Sequence, residues 1–531
     1  MTARLFSLFC FSALVLPQQA AEPKGPNPLY EAGPMVMRTD ADATASDKID
    51  ELVMKRLQAI DLKPANLCSD AVFLRRAYLV VIGTLPTEEE AREFLASKEP
   101  DRREQLIEDL MERDEFYDFW TMKWCDILRV KAEFPIKLWP NAAQAYHRWI
   151  YSSVRGNKPL HQLARQLLVA NGSNFREGEV NFYRAMQDRT PKGIAATVAL
   201  TFMGERAEKW PEKKLEAMSG FFSQIAFKTT AEWKEEIVFF NPDADKDGLS
   251  KQAIFPDGTP VRIEMGKEDP RVRFADWLLR PENPWFSRSM ANRIWSWLMG
   301  RGIVEEADDI RADNPPSNPE LLAFLEKEFA TSRCDMKHLF RIILNSQTFQ
   351  LSSLPAQKWP EAAVNFAHYP LRRMEAEVLI DALNQLTDTE ESYSSPIPEP
   401  FTFIPEDVRA IALADGSITS SFLELFGRPP RDTGYESERS HSTSAAQRLH
   451  LLNSSQVHEK VAACPLVTGA GNAQPAQLAE KIYHAVLSRP PTRAELFAIE
   501  SHASETYARP QELAEDLVWA LINEPEFVYI H

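Results

Sequence analysis

Apolar residues recur at intervals of three and four along most of this chain, and that spacing predicts helices. Asp101–Arg113 places Leu106, Ile107 and Leu110 on one stripe, and His161–Ala170 does the same with Leu163, Leu167 and Leu168. Phe116, Tyr117, Phe119, Trp120 and Trp124 form an aromatic run at helical spacing, the pattern of a core helix. Capping chemistry agrees. Pro86-Thr87 with Glu90, and Pro491-Thr492 with Glu495, are capping boxes in which Thr accepts from a backbone N–H and Glu reaches back. The densest signals lie in Arg271–Ser353. Asn283-Pro284 opens a helix that Gly300 closes, and Ser317 or Asn318 before Pro319 opens the next.

Between residues 232 and 267 the period changes. EEIVFFN is a short strand, PDADKDG a turn, and AIFPDGTPVRIEM a second strand pair around Asp257-Gly258. The expected fold class is therefore mainly α, with two helical domains (47–228 and 268–531) and a small β-sheet insertion (229–267) between them. Residues 1–21 read as a signal peptide: Arg4, then the apolar run Leu5–Leu16, then small residues near Ala20 and Ala21. That run is too short to span a bilayer, and no later segment is apolar enough. Residues 22–46 read as a linker, and Glu390–Pro405 as a surface loop. The expected location is outside the cytoplasm.

A net charge of −17 argues against a nucleic-acid partner, which needs a positive face. Cys68, Cys125, Cys334 and Cys464 follow the leader, none at C-x-x-C spacing. Haem attachment and zinc knuckles therefore have no basis, and no cofactor or metal is expected. Sequence leaves open whether the four are disulfide-bonded or buried as small hydrophobes. Asp243, Asp245, Asp247 and Gly248 match the first half of a calcium loop, but its twelfth position is Ile254 rather than Glu, so an acidic turn is the better reading. His441, His450 and His458 share one segment without forming a triad or metal motif, and no G-x-S-x-G elbow is present.

The remaining chemistry is charged. On the helix from Pro284, the residues Phe286, Met290, Ile294 and Trp297 share an apolar face. Arg293 falls at its edge, and Arg288, Asn292 and Trp295 face the other way. Asp308, Asp309 and Arg311 follow, and Asp308 or Asp309 is the nearest partner for Arg293. Arg373, Glu377, Asp381 and Asn384 make a polar stripe on a later helix, and Arg428, Arg431, Glu438 and Arg439 flank or follow Pro429-Pro430. Such groups clamp an anionic or polyhydroxyl ligand, or serve as acid and base, when they face an open cleft. They form an ion-pair network that fixes helix docking when they are buried.

The stretch ADWLLRPENPWFSRSMANRIWSWLMGRGIVEEADDIRADNPPSNPELL, with RRMEAEVLIDALNQLT, LFGRPPR, LHLLN, LSRPPT and WALINEPEF after it, resembles the PSD-type domain of planctomycete exported proteins. FLRRAYLVVIGTLPTEEEAREFL and WTMKWCDILRV resemble the PSCyt-type domain that precedes it in that family. Both are named for company kept with cytochrome c domains, and neither implies a reaction. Two departures matter. After VALTFMG the family usually shows a C-x-x-C-H-type segment, where this chain has ERAEKWPEKK. After FGRPPR it commonly shows Cys-x-Cys-Glu-Arg, where this chain has Tyr435-Glu436-Ser437-Glu438-Arg439. Joint loss implies that the cysteines form one site in relatives and that this chain lacks it. The leading functional expectation is a non-catalytic, haem-free binding or scaffold protein whose partner is an envelope protein or extracellular polysaccharide. The alternatives are a hydrolase using Asp308, Asp309, Glu377 or Asp381 on an extracellular polysaccharide, and an accessory to a cytochrome c system.

Overall fold

A computed structural model describes residues 27–38, 40, 42–264 and 267–531. The segment read as a signal peptide, residues 1–21, lies outside the described residues. The fold is mainly α, and the sequence signals set the helix ends. Thr44, Thr87, Ser444 and Thr492 each close a capping box. Asn283 caps Pro284–Met299, and Asn318, rather than Ser317, caps Pro319–Thr331. Gly300 ends its helix at φ 77°, and a Cβ there would sit 3.0 Å from Cδ of Arg372, so glycine answers both conformation and space.

The aromatic helix Asp114–Ile127 lies at the heart of the molecule. Trp120 and Trp124 are both fully buried and pack on Trp297, with ring centroids 5.5 and 5.9 Å apart. Phe116 meets Phe340 at 5.8 Å. One apolar core thus runs through the early and late parts of the chain. The last residues are tied in as well. Tyr529–Ile530 pairs antiparallel with Arg372–Arg373, and the buried Arg75 donates to the carbonyls of Val486 and Phe527. Part of the segment read as a linker is docked too, with Glu31–Gly33 paired to Leu67–Cys68.

The small sheet differs from expectation. Glu236–Phe240 is central, flanked by Ile225–Thr229 and Gly172–Ser173. The strand pair expected around Asp257-Gly258 reduces to a single bridge between Ile254 and Pro260. Its Pro256 and Pro260 cannot donate to a ladder, whereas Ile225–Thr229 has a donor at every position and pairs with Glu236–Phe240 along its whole length. Asp245 spends its carboxylate on the amides of Leu249 and Ser250, at 2.8 and 2.9 Å, as an acidic turn does. Cys68, Cys125, Cys334 and Cys464 are buried and unpaired, and burial pushes the Cys125 and Cys334 thiols up to about 12. Among the described residues no helix is long and apolar enough to cross a membrane.

Candidate functional site

The charged residues meet in two buried hubs. The first centres on Asp126, which ends the aromatic helix. Its carboxylate accepts from Nε of Arg431 at 2.8 Å and from Nη2 of Arg439 at 2.6 Å. Arg439 also grips Glu377 with two bonds of 2.6 and 3.1 Å and lies 3.3 Å from Glu375. Glu375 in turn takes Lys123, one helical turn before Asp126, and Nε of Arg428 lies 3.4 Å from Glu377. Lys123, Glu375, Glu377, Arg428 and Arg431 are buried, and Asp126 and Arg439 are nearly so. Burial works against the charge of Asp126, but Arg439 and Arg431 outweigh it and hold the carboxyl below its usual range. Burial likewise opposes Glu375, and Lys123 and Arg439 hold it far down. Burial brings Arg428 down to about 10, whereas Arg439 is held well above its usual value by Glu377, Asp126 and Glu375 despite its burial.

The second hub lies on the Pro284–Met299 helix and corrects the pairing expected for Arg293. That guanidinium is fully buried rather than at a face edge, and its Nε lies 2.9 Å from Glu436, not against Asp308 or Asp309. Its Nη1 donates to the carbonyl of Thr201 at 2.8 Å. Asp308 accepts instead from Arg206, at 2.6 Å, and from the Glu436 amide at 2.8 Å. Burial raises Glu436, and Arg293 opposes that rise. Asn292 and Trp295 do not face solvent; both are fully buried, because neighbouring elements cover this helix on both faces beyond its first turn, where Arg288 stays partly exposed. Asn292 uses its amide at both ends, donating to the Val304 carbonyl and accepting from the Val304 amide at 2.9 Å each.

Other expected site residues lie apart. Arg288 pairs with Glu326 at 2.9 Å on the neighbouring helix. Asp309 is held by Lys209 at 2.7 Å and Arg311 at 3.2 Å, and Arg311 reaches on to Asp313. Arg373 belongs to a short strand, not to the helical stripe assigned from sequence, because the helix starts only at Ala376. It borders an open cavity of about 580 Å³, yet its Nη2 is spent on the carbonyls of Phe426 and Ser440 at 2.7 Å each. Asp381 is buried and accepts from the amides of Ala410 and Ile411 at 2.8 and 3.1 Å, and burial pushes it up to about 6. Glu438 accepts locally from Thr433. Of the polar stripe read from sequence, Arg373, Glu377 and Asp381 are thus interior, and Asn384 is partly exposed.

Sequence reasoning missed Lys123, Asp126, Arg206, Glu375 and Glu436 as members. A signal existed for two of them: Lys123 and Asp126 are charges three apart in the aromatic-rich helical run. The two segments that depart from the family's cysteine motifs lie against each other. Arg206 sits 4.9 Å from the ring centre of Tyr435, whose hydroxyl is 3.2 Å from Glu208. The resemblance implied such proximity, and here the contact is a cation–π stack with ion pairs rather than thiolates.

Comparison with protein families fits this layout. Residues 48–222 match PSCyt2, a protein of unknown function (DUF1549), and residues 270–503 match PSD1, a protein of unknown function (DUF1553). The chain carries a PSCyt2 region followed by a PSD1 region. No curated protein and no solved structure matches it. In this PSCyt2–PSD1 protein the hubs join the two matched regions. Lys123, Asp126 and Arg206 come from the PSCyt2 part, while Arg293, Asp308, Glu375, Glu377, Arg428, Arg431, Glu436 and Arg439 come from the PSD1 part. Chemically, each hub is a closed set of neutralised charges, suited to fixing two regions in one geometry.

Proposed function

We propose that this protein is an exported, non-catalytic binding or scaffold protein of the cell envelope, with an envelope protein or an extracellular polysaccharide as its partner. The observation that supports this reading is the saturation of the carboxylates a hydrolase would need. Asp308 is taken by Arg206 and the Glu436 amide, Asp309 by Lys209 and Arg311, Glu377 by Arg439, and Asp381 by two backbone amides. Glu377 and Asp381 are also buried between elements rather than opposed across a cleft, where glycosidic chemistry requires them. The leader pattern of residues 1–21 supports export.

Two measurements test the reading. Incubation of the purified protein with soluble polysaccharides, followed by a reducing-end assay, is expected to show no release above a heat-killed control. Mass spectrometry of protein recovered from cell fractions is expected to find a mature N-terminus near residue 21 in the envelope or medium. Release of reducing ends overturns the non-catalytic reading, and an intact leader in the cytoplasm overturns export.

A further inference from the structure

Two exposed aromatic residues gather on a partly buried one, Trp139, at one place on the surface. Trp139 precedes the helix Pro140–Arg155, Trp233 sits in the turn between Ile225–Thr229 and Glu236–Phe240, and Phe401 lies in the Pro-rich loop. The three rings pack mutually, with centroids 4.6 Å (Trp139–Trp233), 5.4 Å (Trp139–Phe401) and 5.7 Å (Trp233–Phe401) apart. Trp233 is nevertheless 58% exposed and Phe401 47%, with Phe403 beyond them at 74%. Leaving large rings in water forgoes the free energy of burying them, so a contiguous set of them marks an interaction site rather than scatter. The backbone of Trp139 adds to this. At φ 74° and ψ 148° it occupies a region that glycine alone adopts easily, a strain characteristic of functional positions.

A cleft of about 590 Å³ reaches this cluster at Phe401, with Trp139 and Trp233 packed on that ring just outside the cleft lining. Phe401 and Phe403 form one wall. Asn141, Gln144, His147 and Arg148 form another, all on one face of the Pro140–Arg155 helix at spacings of three, four and seven. None of these four side chains has a hydrogen-bond partner among the described residues, whereas the charged groups of the two hubs are ion-paired. Burial brings His147 down to about 4, so at neutral pH its ring offers one donor and one acceptor. Asn141 and Gln144 likewise both donate and accept.

We infer that this cleft binds a polysaccharide, with Trp139, Trp233 and Phe401 stacking on the apolar faces of sugar rings and Asn141, Gln144, His147 and Arg148 bonding their hydroxyl edges. The inference rests on the non-catalytic binding reading and names its ligand class. A sugar presents an apolar C–H face beside hydroxyls that donate and accept, and both halves of that pattern have counterparts here. A docked protein would desolvate the same four polar groups, and the centres of protein interfaces are depleted of unpaired charge.

The test is affinity electrophoresis of the full mature chain in native gels containing soluble xylan, alginate or glycol chitosan. Retardation is expected in at least one gel. Trp233→Ala with Phe401→Ala, which removes two exposed rings and leaves the melting temperature unchanged, is expected to weaken it roughly tenfold or more. Gln144→Ala with Asn141→Ala is expected to weaken it without touching an aromatic. Retardation in none of the gels overturns the inference, as does undiminished retardation of the ring variant. A change in sedimentation of the ring variant without any effect on retardation also overturns it, by assigning the patch to contacts between protein copies. Reducing ends released from the bound polymer overturn only the non-catalytic reading, so the two failures are distinct.

Discussion

The guanidinium of Arg293 lies 2.9 Å from the carboxylate of Glu436, and no solvent reaches the arginine. A cation so placed persists only while its partner is present. Glu436→Ala should therefore lower stability by about 3–5 kcal/mol, and Arg293→Met by less, because methionine removes the charge and keeps much of the volume. Asp309→Ala should be milder than either, since Lys209 and Arg311 are partly exposed and are left in water. Thermal melts of the three variants check the order. Equal melting temperatures contradict it.

Asp126 serves two arginines at once, so Asp126→Ala strands both Arg431 and Arg439. A loss of about 3–5 kcal/mol or more is expected in denaturant titration. Arg439→Lys should also destabilise, because a single ammonium cannot make the two-pronged bond to Glu377 and reach Asp126 as well. Wild-type midpoints for both variants would show that the hub does not hold the two regions together.

Stability should depend on pH with a defined sign. Burial pushes Asp50, Asp381 and the half-buried Asp118 up to about 6. Their unfolded values are near ~4, so the folded state binds more protons between about pH 4 and 6, and stability falls as pH rises through that window. Asp126 and Glu375 act oppositely. Their folded values are depressed, so their contribution is present above about pH 4 and is lost as pH falls further. Asp381→Asn should flatten the slope between pH 4 and 6.5 by roughly one proton, worth at most about 3 kcal/mol. Equilibrium unfolding at a series of pH values measures this, and an unchanged slope counts against it.

The thiols Cys68, Cys125, Cys334 and Cys464 are buried without disulfides. A thiol-reactive chromophore should modify none of them quickly in the folded protein and all four in guanidinium without reductant. Fewer than four would reveal a disulfide. The purified protein should also be colourless and free of stoichiometric iron or zinc, since Arg206 and Tyr435 occupy the contact between the two departed segments. One equivalent of either metal in elemental analysis contradicts this.

What the sequence determined by itself was local. Thr87 with Glu90, Thr492 with Glu495, Asn283-Pro284 and Gly300 set helix ends through groups within a few residues of one another, and those ends lie where the pattern put them. The burial of the aromatic run was legible for a similar reason, because large rings have few places but the core. The family was legible in long motifs held in order. Partner choice was decided only by tertiary structure. Arg293 chose Glu436 over the nearby Asp308, and Asp126 found Arg431 and Arg439 far along the chain, because a buried charge pairs with whatever packing brings within a few ångströms. The platform of Trp139, Trp233 and Phe401 was invisible for the same reason. Three separate loops each contribute one ring, and no periodicity along the chain records that they converge.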